Sequence, residues 1–68
     1  MLDTIKTGTT LRALRESKGL SIVDLSEKLL LSKTAIYKWE NGQSIPSIDR
    51  LIDLSELYKV PLDELIAR

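Results

Sequence analysis

Between Ser21 and Asn41 the apolar residues fall at Leu25, Leu29, Leu31, Ile36 and Trp39, and their phase changes across Leu30-Leu31-Ser32. One continuous helix cannot hold all five on one face, so the stretch predicts two short amphipathic helices joined by a tight corner. Both have start signals. Ser21 stands three residues before Asp24, where hydroxyl and carboxylate each satisfy a free amide of the other residue, and Ser32 is placed to cap the second helix. That helix spans Lys33 to Glu40 and stops at Asn41-Gly42, because glycine accepts the left-handed conformation that closes a helix. Ile36 and Trp39, three apart, face inward, with Trp39 read as a core anchor. Lys33, Thr34, Tyr37 and Lys38 share the outer face, and no acid interrupts it.

The flanking chain reads as support for this corner. Residues 1–7 are expected to be a loose lead-in, since Asp3, Thr4, Lys6 and Thr7 break any apolar pattern before Gly8. A first helix is expected from about Thr9 to Lys18, with Leu11 and Leu14 inward and Gly19 as its stop. After Gly42-Gln43-Ser44-Ile45-Pro46, read as a loop, Ser47 caps a fourth helix from Ile48 to Tyr58. Pro61 suits the first position of a short last helix carrying Leu62, Leu65 and Ile66. The expected fold is all-α, a compact five-helix bundle forming a single domain over residues 1–68.

Composition mainly narrows the chemistry. Cysteine and histidine are both absent, which removes thiolate and imidazole metal sites and the usual general bases. No phosphate loop or paired-carboxylate motif replaces them, so neither an enzyme nor a metal or cofactor site is expected, and no small-molecule ligand is evident. No wholly apolar run exceeds three residues, as at Leu29 to Leu31, so no membrane association is expected. The first six residues lack a secretory core, which makes the cytoplasm the expected location. Net charge is zero, yet it is unevenly spread. Residues 1–41 carry seven cations and five acids, and residues 42–68 carry three and five, giving +2 and −2. The end containing the acid-free face is the positive one, which suits a polyanion.

The run from Leu11 to Ser21, followed by Leu25, Leu29 and Lys33 to Pro46, closely resembles the Cro and lambda-repressor-like (XRE) helix-turn-helix family. Ile36-Tyr37-Lys38-Trp39-Glu40-Asn41-Gly42, with Pro46 downstream, is its most specific part, and the likeness covers about Ile5 to Leu65. It implies a five-helix domain that binds operator DNA as a homodimer and regulates transcription, with repression the expected direction. Carried over residue by residue, it implies base contacts in the major groove from Lys33, Thr34, Tyr37 and Lys38. Contacts to the DNA backbone are implied for Ser21, Ile22, Ser32, Asn41, Gln43 and Ser44. A structural ion pair is implied between Arg15 and Glu40.

Three positions depart from the family pattern. Ile22 replaces a glutamine that contacts phosphate, leaving only its amide. Leu30 replaces the turn glycine, at roughly 1 kcal/mol if positive φ is needed there. Ser26 replaces a buried alanine and is expected to bond back to a carbonyl one turn earlier.

A rival reading keeps the fold but gives it a protein partner, as in an antitoxin or a co-regulator. Zero net charge, Ile22 and the apolar C-terminal segment favour it. Leu57, Leu62, Leu65 and Ile66 are either core or a dimer patch, because so small a domain cannot bury every leucine.

Overall fold

A computed structural model of the chain describes residues 2–66. Four α-helices follow one another, α1 (Thr4–Ser17), α2 (Ile22–Leu29), α3 (Lys33–Glu40) and α4 (Ile48–Tyr58), and a single 3₁₀ turn covers Leu62–Glu64. The expectation of five helices is therefore corrected to four α-helices among the described residues. Among the described residues after Pro61 the backbone bonds are three-residue ones, Glu64 N to Pro61 O and Leu65 N to Leu62 O, both at 3.0 Å. So short a segment cannot carry the cost of α-helix nucleation, and the tighter turn serves instead.

The lead-in expected over residues 1–7 is also corrected, because α1 begins at Thr4. Asp3 caps it, its carboxylate accepting from Lys6 N at 2.9 Å and its carbonyl from Thr7 N at 2.9 Å. Gly8 is a buried position inside this helix, not a stop. The reason is tertiary: a Cβ on Gly8 would lie 2.7 Å from the Glu40 carbonyl oxygen and 2.9 Å from its carbon. A side-chain-free position lets α1 cross the end of α3 at main-chain contact, which outweighs the poor helix propensity of glycine.

Each α-helix ends in the same way, with one residue in the left-handed region: Gly19 (φ 70°), Leu30 (55°), Gly42 (76°) and Lys59 (57°). The amide one residue further on reaches back to close each turn, as in Leu20 N to Arg15 O at 3.1 Å and Gln43 N to Lys38 O at 2.9 Å. Every helix start carries a side-chain cap, from Asp3, Ser21, Ser32 and Ser47.

The core collects one or more residues from every helix: Leu11, Leu25, Ile36, Trp39, Leu51, Leu54, Tyr58 and Leu65. Each fully buried apolar side chain of this kind contributes about 2 kcal/mol relative to exposure. Leu65 is completely buried, so it leaves the expected dimer patch and becomes the anchor of the 3₁₀ segment. Leu57, Leu62 and Ile66 pack against the core while staying half-exposed.

Candidate nucleic-acid interface

α3 is fixed from both ends and from beneath. Ser32 Oγ accepts from Ala35 N at 3.2 Å, and Gly42 closes the far end. Ile36 and Trp39 are sunk in the core, against which α1 and α2 both hold the helix. The three-and-four spacing then leaves Lys33, Thr34, Tyr37 and Lys38 together on the exposed side. Among the described residues neither lysine is in an ion pair. Both ammonium groups are free for an anionic or acceptor-rich partner, beside a threonine hydroxyl and a phenol.

The corner before α3 matches its sequence signals. Asp24 N donates to Ser21 Oγ at 3.0 Å, and Ser21 N donates to Asp24 Oδ2 at 2.9 Å. These bonds hold the Asp24 carboxyl below its usual range, with the nearby Lys28 adding to the effect. Leu30 takes the left-handed turn conformation with its side chain almost wholly exposed, so the corner is strained at a non-glycine residue. Ser26 is buried and donates to Val23 O at 2.8 Å, three residues back.

The six expected backbone-contact residues flank α3. Ser21, Ser32, Asn41 and Gln43 are exposed, while Ile22 and Ser44 are half-buried. Their amides are not equally available. Ser21 N is taken by Asp24, and Gln43 N and Ser44 N both point back to Lys38 O, at 2.9 and 3.4 Å. Ile22 N and Val23 N, as first amides of α2, have no acceptor within the helix. Asp24 places a negative charge beside them, which competes with a phosphate for the same helix end.

Behind α3, Arg15 and Glu40 form the expected ion pair. Nε donates to Oε2 at 2.8 Å and Nη2 to Oε1 at 3.1 Å. The remaining nitrogen, Nη1, donates to Leu20 O at 2.8 Å in the loop before α2. Hydrogen bonding to Glu40, opposed by burial, raises the Arg15 pKa above its ordinary value. A carboxylate at the C-terminal end of a helix is unfavourable by itself, and Arg15 supplies the compensating charge.

Two supporting features had no usable signal in the sequence. Gly8 reads as a breaker until the position of α3 is known. Arg50, on α4, donates from Nη1 to Leu29 O at 3.2 Å, a contact spanning 21 residues.

The sequence and the fold that carry this corner have counterparts in known proteins. The model of the helix-turn-helix family matches residues 11–65. The HTH-type transcriptional activator BcrR of Enterococcus faecalis is 40% identical over 57 residues, covering 84% of this chain and 28% of that protein. The chain spans 17–28% of the length of three such curated relatives. In structure it is similar to the BldD DNA-binding domain of S. venezulae, with a TM-score of 0.80, 30% identity and coverage of 94% and 96% of the two chains. It is also similar to the restriction-modification controller protein C.AhdI of Aeromonas hydrophila, with a TM-score of 0.83, 32% identity and coverage of 93% and 96%. With most of its residues inside the family match and its architecture shared at this identity, the chain belongs to the helix-turn-helix family, in its XRE-type form.

Proposed function

We propose that the protein is a sequence-specific DNA-binding transcriptional regulator that reads the major groove with α3. The observation that carries this reading is the exposed set Lys33, Thr34, Tyr37 and Lys38 on a helix pinned by Ile36 and Trp39. A helix fits the major groove, lysine donates to guanine acceptors, and threonine donates, accepts or touches a thymine methyl. Each good contact discriminates by about 1 to 3 kcal/mol. Ser21, Ile22, Ser32, Asn41, Gln43 and Ser44 supply the flanking phosphate contacts that set register. BcrR, BldD and C.AhdI support the reading by likeness.

The protein acts as a homodimer on a two-fold-related operator in the cytoplasm. Half-sites on such an operator lie about one helical turn, roughly 34 Å, apart, and the two α3 helices of the dimer enter successive major grooves on one face of the duplex. Leu57, Leu62 and Ile66, half-exposed around the 3₁₀ turn, form the pairing surface. Repression is the direction assigned, because occupying a promoter blocks it without any further contact. The double variant Lys33→Ala, Lys38→Ala tests the reading: operator binding is lost while circular dichroism remains that of the folded protein. Retained sequence-selective binding in that variant would remove α3 from the reading role.

A second reading, a protein-interaction module, is favoured by the exposure of Leu30, Ile48 and Ile52 on a chain with zero net charge. Under it the same double variant leaves partner affinity unchanged.

A further inference from the structure

The carbonyl of Leu29 ends α2, and the next three residues, Leu30, Leu31 and Ser32, are the whole connection to the reading helix. Arg50 Nη1, from the first turn of α4, donates to that carbonyl at 3.2 Å. The same nitrogen lies 3.4 Å from Asp53 Oδ2 on its own helix, in a half-exposed ion pair. The charge also sits where the dipole of α2 is negative. Leu31 N meanwhile bonds to Ser26 O at 2.9 Å, and Leu30 is held at a φ of 55°. The corner thus combines a strained residue with a hydrogen bond from a different helix on its last α-helical carbonyl.

We infer that Arg50 is a positioning residue for α3: by gripping Leu29 O it fixes the α2–α3 corner against α4 and so sets the angle at which the reading face meets DNA. This rests on the proposed DNA-binding function, and it adds to that function a residue outside both contact sets. A strained turn relaxes when a restraint is removed, and the first turn of α3, three residues downstream, then shifts about the end held by Trp39 and Glu40. Base contacts depend on that angle, whereas attraction to phosphate does not.

The test compares the wild-type chain with Arg50→Met and Arg50→Lys, at a temperature where circular dichroism shows all three fully folded. Affinity is measured for the selected operator and for a scrambled duplex, each at two salt concentrations. Loss of the charged hydrogen bond weakens operator binding by about tenfold in Arg50→Met and leaves scrambled-duplex binding nearly unchanged. Arg50→Lys, which keeps a donor and the charge, recovers part of the loss. Equal weakening on both duplexes, with the salt slope reduced by about 0.9, would make Arg50 a direct phosphate contact and overturn the inference. A lowered melting temperature with unchanged operator affinity would reduce Arg50 to general stabilisation and overturn it as well.

Amide exchange gives a readout independent of DNA. In Arg50→Met the amides of Leu30 and Leu31 exchange faster while that of Asn41, at the other end of α3, does not. If the wild-type chain selects no sequence, the proposed function fails while this exchange pattern still decides whether Arg50 restrains the corner. Unchanged exchange at Leu30 and Leu31 would show that it does not.

Discussion

Arg15 and Glu40 stand 25 residues apart in sequence and meet through two parallel hydrogen bonds of 2.8 and 3.1 Å, with both side chains at least nine-tenths buried. The pair joins α1 to the last residue of α3, and the third donor of Arg15 extends the tie to Leu20, just before α2. One guanidinium on α1 therefore ties the end of the reading helix to the loop before α2. Breaking one partner of a buried pair leaves the other charge uncompensated, so Glu40→Gln is expected to lower unfolding free energy by about 3 kcal/mol. The urea midpoint, compared with wild type, measures this. A change within about 0.5 kcal/mol, as for an ordinary surface substitution, would contradict it.

Gly8 is expected to resist replacement even though alanine is the better helix former by about 1 kcal/mol. A methyl group there meets the main chain of Trp39 and Glu40, which cannot yield as a flexible side chain would. Overpacking outweighs propensity, and Gly8→Ala should lose a net 1 to 2 kcal/mol or so. Thermal unfolding checks the sign. An increase in melting temperature would mean that α1 and α3 are not in main-chain contact.

Leu30→Gly should have the opposite effect. Leu30 is 88% exposed and has a φ of 55°, so little packing is lost and left-handed strain is relieved. The expected gain is about 1 kcal/mol, or about 4 to 8 °C in melting temperature for a domain of this size. A fall would show that the exposed leucine has a partner or a packing role in solution.

Tyr58 links stability to alkaline pH. Burial, reinforced by the nearby Glu40 charge and opposed by Arg15, pushes its phenol up to about 12 from 10.0. The unfolded chain therefore releases this proton first. The contribution is complete below pH 10 and is lost as pH rises through the folded value, at roughly 1.4 kcal/mol per pH unit within that window. Tyr58→Phe cannot ionise, so its denaturation midpoint should fall less steeply than that of wild type between pH 10 and 12. Parallel slopes in the two proteins would contradict this assignment.

Much of the site was legible in the sequence because it depends on local chemistry. The reciprocal Ser21 and Asp24 cap, the Ser32 cap and the glycine stops at Gly19 and Gly42 are decided within four or five residues, and all are present. The outer face of α3 follows from helical spacing once Ile36 and Trp39 are taken as inward. The Arg15–Glu40 pair came from family resemblance, since nothing local joins residues 25 apart. What sequence reading missed depends on tertiary contact. Gly8 looks like a breaker unless α3 is known to pass over it. Leu65 stays open between core and dimer patch until the 3₁₀ turn is known to bring it inward. Lys59 has no signal at all for its left-handed conformation, and Arg50 none for its reach to Leu29.

The most direct measurement is selection of bound sequences from a random duplex pool by the wild-type chain, with affinity for the enriched site taken at two salt concentrations. The expected result is a two-fold-related site whose half-sites lie about one helical turn apart and whose affinity falls steeply as salt rises. A folded protein that enriches no sequence would contradict DNA reading by α3 and leave the exposed side chains of Leu30, Ile48 and Ile52 as the places to look for a protein partner.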